Sequence, residues 1–386
     1  MNALAHLDPR ELGQRLKTAR NAAGMTQEQA ARSMNLARTS LVAIERGDRR
    51  VAPEELAGLC ELYKVQPGRL LRPDTLHPDL SVQFRRAIAP DDAEALAIIP
   101  LLQELAARYV ELERLLNKPL EPIYPKAFRL NPGPLEEQAE DLAAELRSHM
   151  GIGNSPIPDV LALIETELKI RLFVVPLPSK ISGAYAFHPS VDACILINAN
   201  HPKVRQNWTA GHELGHFITD RQSMEITEEE YRHQTREERF ANLFAGAFLM
   251  PASAVRKRYR EVCESEGKFS ARGLVYLAEW FYVSTYAMSL RLEQLGLFAK
   301  GTYEMLKQRG VFNILNDTAP EMDKSKEPPR FMPRYAWIAL EAYEKELISE
   351  GELARMLRIG RIEARERLDS LALISETIAE QESACA

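Results

Sequence analysis

Two of the chain's eight histidines, His212 and His216, stand four apart in the run His212-Glu213-Leu214-Gly215-His216. On a helix, residues four apart share a face, so both imidazoles can address one ion. Glu213 sits about 100° round the helix from His212. It can reach a water on that ion without becoming a ligand. Two imidazoles leave a tetrahedral zinc short of one protein ligand, beside the open position that catalysis needs. A carboxylate on a nearby helix would complete the set. The stretch TREERFANLFAGAFLMP (235–251) offers Glu238, which begins an apolar helix, and Glu237, one residue out of phase. Zinc lowers the pKa of its water to about 7. Glu213 would take that proton and pass it to a leaving amine. The chemistry indicated is metal-assisted amide hydrolysis.

Other candidates make weaker claims. His188 follows a strand and would approach the cleft only as a transition-state donor. His233 is a competing ligand. Cys60, Cys194, Cys263 and Cys385 form no C-x-x-C pair and are too dispersed for a disulfide framework. A thiolate cap on a latent zinc is a role open to them, but no spacing singles one out.

The stretch ILINANHPKVRQNWTAGHELGH (195–216), followed by EERFANLFAGAFLMP (237–251), resembles the ImmA/IrrE family of zinc metallopeptidases. The resemblance covers roughly 135–300. It implies a compact zincin-like α+β fold and a role in cleaving, or triggering the loss of, a helix-turn-helix repressor. It also implies that His212, His216 and Glu238 are the zinc ligands, Glu213 the catalytic base and Asn242 a supporting residue behind the ligands. Gly211 replaces a more usual Ala, and Trp208 a more usual Phe. Both read as packing changes.

The elements that must position this set follow from local pattern. Helices are predicted at about 135–149 and 157–168. Strands follow at 170–177, 183–188 and 193–198, then apolar-rich helices at about 204–219, 234–249 and 270–295. Helices, a small sheet and helices again make an α+β domain. Residues 300–330 read as loop. Before this domain, residues 118–134 hold five prolines and read as an extended linker.

The N-terminal region differs in charge. Residues 1–72 carry 12 Lys/Arg against 8 Asp/Glu, and the remainder 37 against 47, so a net −6 averages a basic head with an acidic body. Residues 8–72 read as five short helices. Thr26 and Gln29 form a capping box, and Pro53 sits in a first helical turn. The stretch LKTARNAAGMTQEQAARSMNLARTSLVAIERGDRRVAPEELAGLCELYKV resembles the lambda-repressor-like, XRE-type helix-turn-helix domain. Asn35 would take the left-handed turn position. The helix from Arg38 would be the recognition helix, with Arg38, Thr39, Ser40 and Ala43 facing base edges. Gln27 would contact phosphate or base, and Arg49 and Arg50 would grip phosphate. Leu41, Ile44 and Leu56 are core, and Glu45 with Arg46 is a candidate ion pair. A bare docking role remains the alternative for so modest a charge.

Between head and body, Ile98, Leu102, Leu105, Tyr109, Leu112 and Leu116 make a seam of alternating 4 and 3 spacings. It lasts under three heptads. Packing on its own chain and forming a homodimer are both open, and Pro100 should start or kink the helix. The connector is taken as 91–134. The C-terminal region, 333–378, reads as a small helical module. Ser349 caps a helix, Arg358-Ile359-Gly360 turns and a basic helix follows, a helix-turn-helix-like pattern that resembles the tail of longer, fused members of the ImmA/IrrE family, with a DNA contact, a partner contact and plain packing all open.

The expected whole is multidomain: an all-α head, a metallopeptidase body of residues 135–300 and a helical tail. No apolar run is long enough to span a membrane. The N-terminus lacks a secretory core, and a reducing cytoplasm suits the cysteines. Two functions use every motif. One is a DNA-bound zinc endopeptidase that cleaves a repressor or antitoxin. The other is a transcriptional regulator or antitoxin that uses the metallopeptidase fold as a sensor.

Overall fold

A computed structural model of the chain describes residues 8–63, 65, 67–71, 96–220, 225–228, 235–311 and 332–366. The head comprises α1 (Pro9–Ala22), α2 (Gln27–Ser33), α3 (Arg38–Arg46), α4 (Pro53–Leu62) and α5 (Pro67–Leu71). Local chemistry sets the boundaries. Asp8 caps α1 through Arg10 N, and Thr26 and Gln29 close a reciprocal capping box on α2. Asn35 adopts φ 52° in the turn between α2 and α3. Leu16, Ala30, Leu41, Ile44, Leu56 and Leu59 fill the core.

An ion pair is buried beside that core. The Arg20 guanidinium donates to both Glu45 carboxylate oxygens, at 2.6 and 3.0 Å. This corrects the expectation that Glu45 pairs with Arg46, which is exposed. Successive helical residues do not face each other, so Glu45 turns inward to Arg20 and Arg46 turns out.

The connector helix α6 (Ile98–Leu115) carries Pro100 in its first turn, where it is tolerated. The second half of the chain adds α7 (Leu135–His149), α8 (Val160–Glu167), β1 (Arg171–Val175), β2 (Ile181–His188), β3 (Asp192–Asn198), α9 (Lys203–Thr219), β4 (Glu225–Glu228) and α10 (Arg236–Leu249). It continues with α11 (Ala252–Glu266), α12 (Ala271–Trp280), α13 (Thr285–Gln294) and α14 (Thr302–Gln308). The tail holds α15 (Pro333–Glu344) and α16 (Glu350–Met356), and residues 361–366 are helical. The chain divides into two compact units. One holds α1–α5, most of α6 and the tail; the other holds α7–α14 and the sheet.

In the first unit the heptad seam is occupied from within. Leu102, Leu105, Tyr109 and Leu112 are buried. Tyr109 packs on Tyr335 of α15 at 5.1 Å between ring centroids. Arg334 donates to Glu113 at 2.7 Å, and Lys118 pairs with Glu341 at 2.7 Å. The seam therefore packs on its own chain and is not a free dimer surface.

In the second unit the sheet order is β1-β3-β2-β4. β1 runs parallel to β3, while β2 is antiparallel to β3 and β4. All five β1 residues are buried, as their unbroken apolar run requires. Strand β4 was not expected, because its sequence EITE has no apolar run. The expected 270–295 helix breaks at Phe281–Ser284: Tyr282 turns at φ 54° and Ser284 caps α13. Helix α14 lies in a stretch read as loop.

Residues 122–134 are not a free spacer. Phe128 N donates to Ile218 O at 2.9 Å, and Ala193 N donates to the Tyr124 hydroxyl at 3.1 Å. Phe128 also stacks on Phe240. The prolines keep this segment extended, while its aromatic residues fasten it to the second unit. Among the described residues no helix is long and apolar enough to cross a membrane.

The Arg20–Glu45 pair generates a stability prediction. Its side chains are 7% and 2% exposed. Removing one partner from a buried pair strands a charge, at about 3–5 kcal/mol. Arg20→Ala should lower the head's unfolding free energy by that amount in a denaturant titration. A change below about 1 kcal/mol would show the pair to be dispensable.

Candidate metal centre

Helix α9 lies against β2 and β3 and buries Leu214, Phe217 and Ile218. Its His212 and Glu213 are fully buried and His216 is 3% exposed. Thr235 caps helix α10, its hydroxyl accepting from Glu238 N at 3.2 Å. Glu238 thus sits in the first turn of α10, where a carboxylate is favoured. Phe240, Phe244 and Phe248 form a buried stripe along α10. Small residues let the two helices approach. A Cβ on Gly215 would come within 3.1 Å of both Ala241 Cα and Phe244 Cδ1. At Gly211 the nearest atom would be Ala245 Cβ at 3.5 Å, so an alanine would fit there too.

Three donors converge between these helices. His212 Nε2 and His216 Nε2 are 3.0 Å apart. Glu238 Oε2 lies 3.6 Å from His212 Nε2, and its Oε1 lies 3.4 Å from His216 Nε2. A tetrahedral zinc with bonds of about 2.0–2.1 Å holds its ligands about 3.3 Å from one another. The two imidazole nitrogens stand near that spacing and each faces a Glu238 oxygen at a comparable distance, so this nitrogen–nitrogen–oxygen set suits zinc. Asn242 Nδ2 donates to Glu238 O at 3.0 Å, which leaves its Oδ1 to accept from His212 Nδ1 at 3.2 Å. The His212 Nε2 lone pair is thereby turned toward His216, and a cation between the two nitrogens relieves that convergence. Burial, then the neighbouring His216, push the His212 imidazole down to about 3, so it stays neutral as a ligand must. Glu237 is exposed and outside the cluster.

Supporting residues were not visible in the motifs. A Cβ at Gly183 on β2 would come 2.6 Å from Thr209 Cγ2 and 3.2 Å from Glu213 Oε1. Gly183 thus makes room for the Glu213 carboxylate against the strand, and a glycine inside a strand was its only sequence signal. Arg147 of α7 donates to the carbonyls of Phe248, Ser155 and Gly153. Arg291 of α13 donates to Met250 O at 3.0 Å and pairs with Glu140 at 2.6 Å. These guanidinia satisfy carbonyls at the end of α10 that have no partner within the helix. Burial pushes the Arg147 guanidinium down to about 10.

The weaker candidates among the described residues stay away from the centre. His188 lies five residues along β2 from Gly183, about 17 Å at the rise of a strand. Its Nδ1 meets Ser190 Oγ at 2.7 Å in the turn to β3. Cys60 is in the head core, Cys194 is buried on β3 and Cys263 is on α11. None of these three cysteines joins the His212, His216 and Glu238 group among the described residues. His233 and Cys385 lie outside the described residues.

In the head, Arg38 and Thr39 are exposed at the start of α3, Ser40 and Ala43 are half-buried, and Arg50 is exposed. Arg49 donates to Glu55 at 2.8 Å, and Gln27 donates to Glu45 at 2.8 Å. Both side chains are thus engaged within the head.

Removing ligands separates the donors from their support. His216→Ala and Glu238→Ala should lose stoichiometric zinc. Asn242→Ala should retain zinc but bind it about 10–100-fold more weakly, as read by chelator competition. Full zinc retention by the first two variants would contradict the assignment.

Residues 165–293 match the family model described as IrrE N-terminal-like domain, a peptidase-family model. Residues 11–72 match the model described as helix-turn-helix domain. No curated protein matches the chain. The first match contains α9 and α10 with all three donors, and the second spans the head from within α1 past α5. The chain therefore joins an N-terminal helix-turn-helix domain to a metallopeptidase-like, IrrE N-terminal-like domain.

Proposed function

We propose that the chain is a zinc-dependent endopeptidase held at DNA by its head, and that it cleaves a helix-turn-helix repressor or an antitoxin. It would control transcription in a stress or mobile-element response in the cytoplasm. One observation carries this reading. The donors His212, His216 and Glu238 meet at zinc spacing, while Glu213, one residue along from His212, is buried against β2.

A zinc ion held by those donors supplies Lewis acidity, acidifying a water and polarising the scissile carbonyl. Glu213 takes the proton from the attacking water and delivers it to the departing amine nitrogen. Asn242 keeps His212 in the tautomer that presents Nε2. Arg38, Thr39, Ser40 and Ala43 read base edges, Arg49 and Arg50 position the head on phosphate, and Gln27 contacts phosphate or base, Gln27 and Arg49 by exchanging their internal partners for DNA. Reading a palindromic operator calls for two heads, so a homodimer on DNA is part of the proposal.

The second reading is a regulator or antitoxin whose metallopeptidase fold only senses metal or a partner. It needs the three ligands but not the base, and the presence of Glu213 favours the enzyme. Glu213→Gln keeps the shape of the side chain and the metal donors and removes the base. Cleavage of the repressor encoded nearest the protein's own gene, read as new N-termini by mass spectrometry, should slow by about 10²–10⁴-fold. An unchanged promoter response with unchanged repressor levels in that variant would transfer the function to the sensor reading.

A further inference from the structure

The tail repeats the backbone of the head's reading motif, position for position. In the head, Thr26 accepts from Gln29 N at 3.1 Å and its own N–H donates to Gln29 Oε1 at 2.8 Å. In the tail, Ser349 accepts from Glu352 N at 3.3 Å and its N–H donates to Glu352 Oε2 at 2.9 Å. Each cap opens a helix of seven residues, α2 and α16. Each helix ends in a left-handed residue at the same place, Asn35 at φ 52° and Arg358 at φ 50°. The turn is closed by the same bond, Leu36 N to Ala31 O at 2.9 Å and Ile359 N to Ala354 O at 3.0 Å. The next helix starts two residues later, at Arg38 and at Arg361. The buried positions also correspond: Ala30, Ala31 and Leu41 in the head, Leu353, Ala354 and Ala364 in the tail.

Residues 349–366 hold four arginines and four glutamates, but all four arginines and a single glutamate line one shared cavity. Ser349, Gly351, Arg355, Arg358, Arg361 and Arg365 line a cavity of about 820 Å³. Among the described lining residues Glu350 is the one carboxylate, and it pairs with Arg365 at 2.7 Å. The Arg361 guanidinium lies against Gly351, where a Cβ would come 3.3 Å from Nη2. Forked guanidinia match phosphate oxygens. Beside Arg361, at the place of Thr39 in the head, Ile362 is 77% exposed, and an apolar group there can meet a thymine methyl. The module is rigidly mounted: Arg108 of α6 donates to Arg355 O at 2.7 Å, and Tyr335 donates to Met356 O at 3.3 Å.

We infer that residues 349–366 are a second helix-turn-helix, and that Arg358 and Arg361, with Arg355 and Arg365 beside them, grip the phosphate backbone of duplex DNA. The chain then carries two DNA-reading units. This goes beyond the proposed peptidase activity and does not depend on it.

The test uses the full-length protein and a 30-base-pair duplex of random sequence. Binding is followed by fluorescence anisotropy over a range of potassium chloride concentrations. Arg358→Asn with Arg361→Gln puts into the tail the residue that the head uses at its own turn. Each lost phosphate contact should remove about 0.9 from the slope of log K against log salt. The double variant should therefore lose about 2 from that slope and bind roughly tenfold or more weakly at 0.1 M salt. The same increment should be lost in an Arg38→Ala/Ser40→Ala background, because separate sites act additively. That background keeps the result independent of the head assignment. If the double variant melts below the parent, Arg361→Gln alone, at an exposed position, should still lower the slope by about 1. Unchanged slope and affinity in a variant that melts like the parent would overturn the inference.

Discussion

The distance between α9 and α10 sets the candidate metal centre, because the histidines ride on one helix and the carboxylate on the other. Gly211, Gly215, Ala241 and Ala245 keep the facing surfaces small. At Gly215 even a methyl group would press on Ala241 and Phe244. Larger side chains would separate the helices, and the 3.4 and 3.6 Å spacings between Glu238 and the imidazoles would be lost. A zinc ion tolerates little of that, since its bonds are short and its ligand geometry fixed. Close helix packing is therefore the physical condition for the chemistry.

That condition is enforced from both ends of α10. At its start, Thr235 caps the helix and brings Glu238 into the first turn. At its end, Arg147 and Arg291 take up the carbonyls of Phe248 and Met250. Two buried guanidinia are costly to desolvate, and their hydrogen bonds offset that cost by replacing water on otherwise bare helix carbonyls. The stacked Phe240, Phe244 and Phe248 hold the helix between its two ends.

The parts legible in the sequence were those with short-range causes. The histidine pair follows from a four-residue spacing, the α2 cap from Thr26 and Gln29, and β1 to β3 from continuous apolar runs. What escaped depends on contacts distant in the chain. Nothing local marks Arg147 as buried, or pairs Glu45 with Arg20 rather than with its neighbour. The prolines of 118–134 suggested a spacer, but Tyr124 and Phe128 find their partners on β3, α9 and α10. The heptad seam was equally open to a second copy or to the chain itself, and α15, more than two hundred residues later, takes it. The tail's helix-turn-helix-like pattern was legible in Ser349 and Arg358-Ile359-Gly360, but its residue-for-residue match to the head's turn lies in backbone angles.

In the function proposed above, two imidazoles and one carboxylate hold zinc and leave a position open to water. X-ray absorption spectroscopy of the zinc-loaded full-length protein tests this most directly. The expected result is a shell of nitrogen and oxygen only, at about 2.0–2.1 Å, with the outer scattering of two imidazoles. A sulfur neighbour at about 2.3 Å, or a shell with no imidazole scattering, would contradict it.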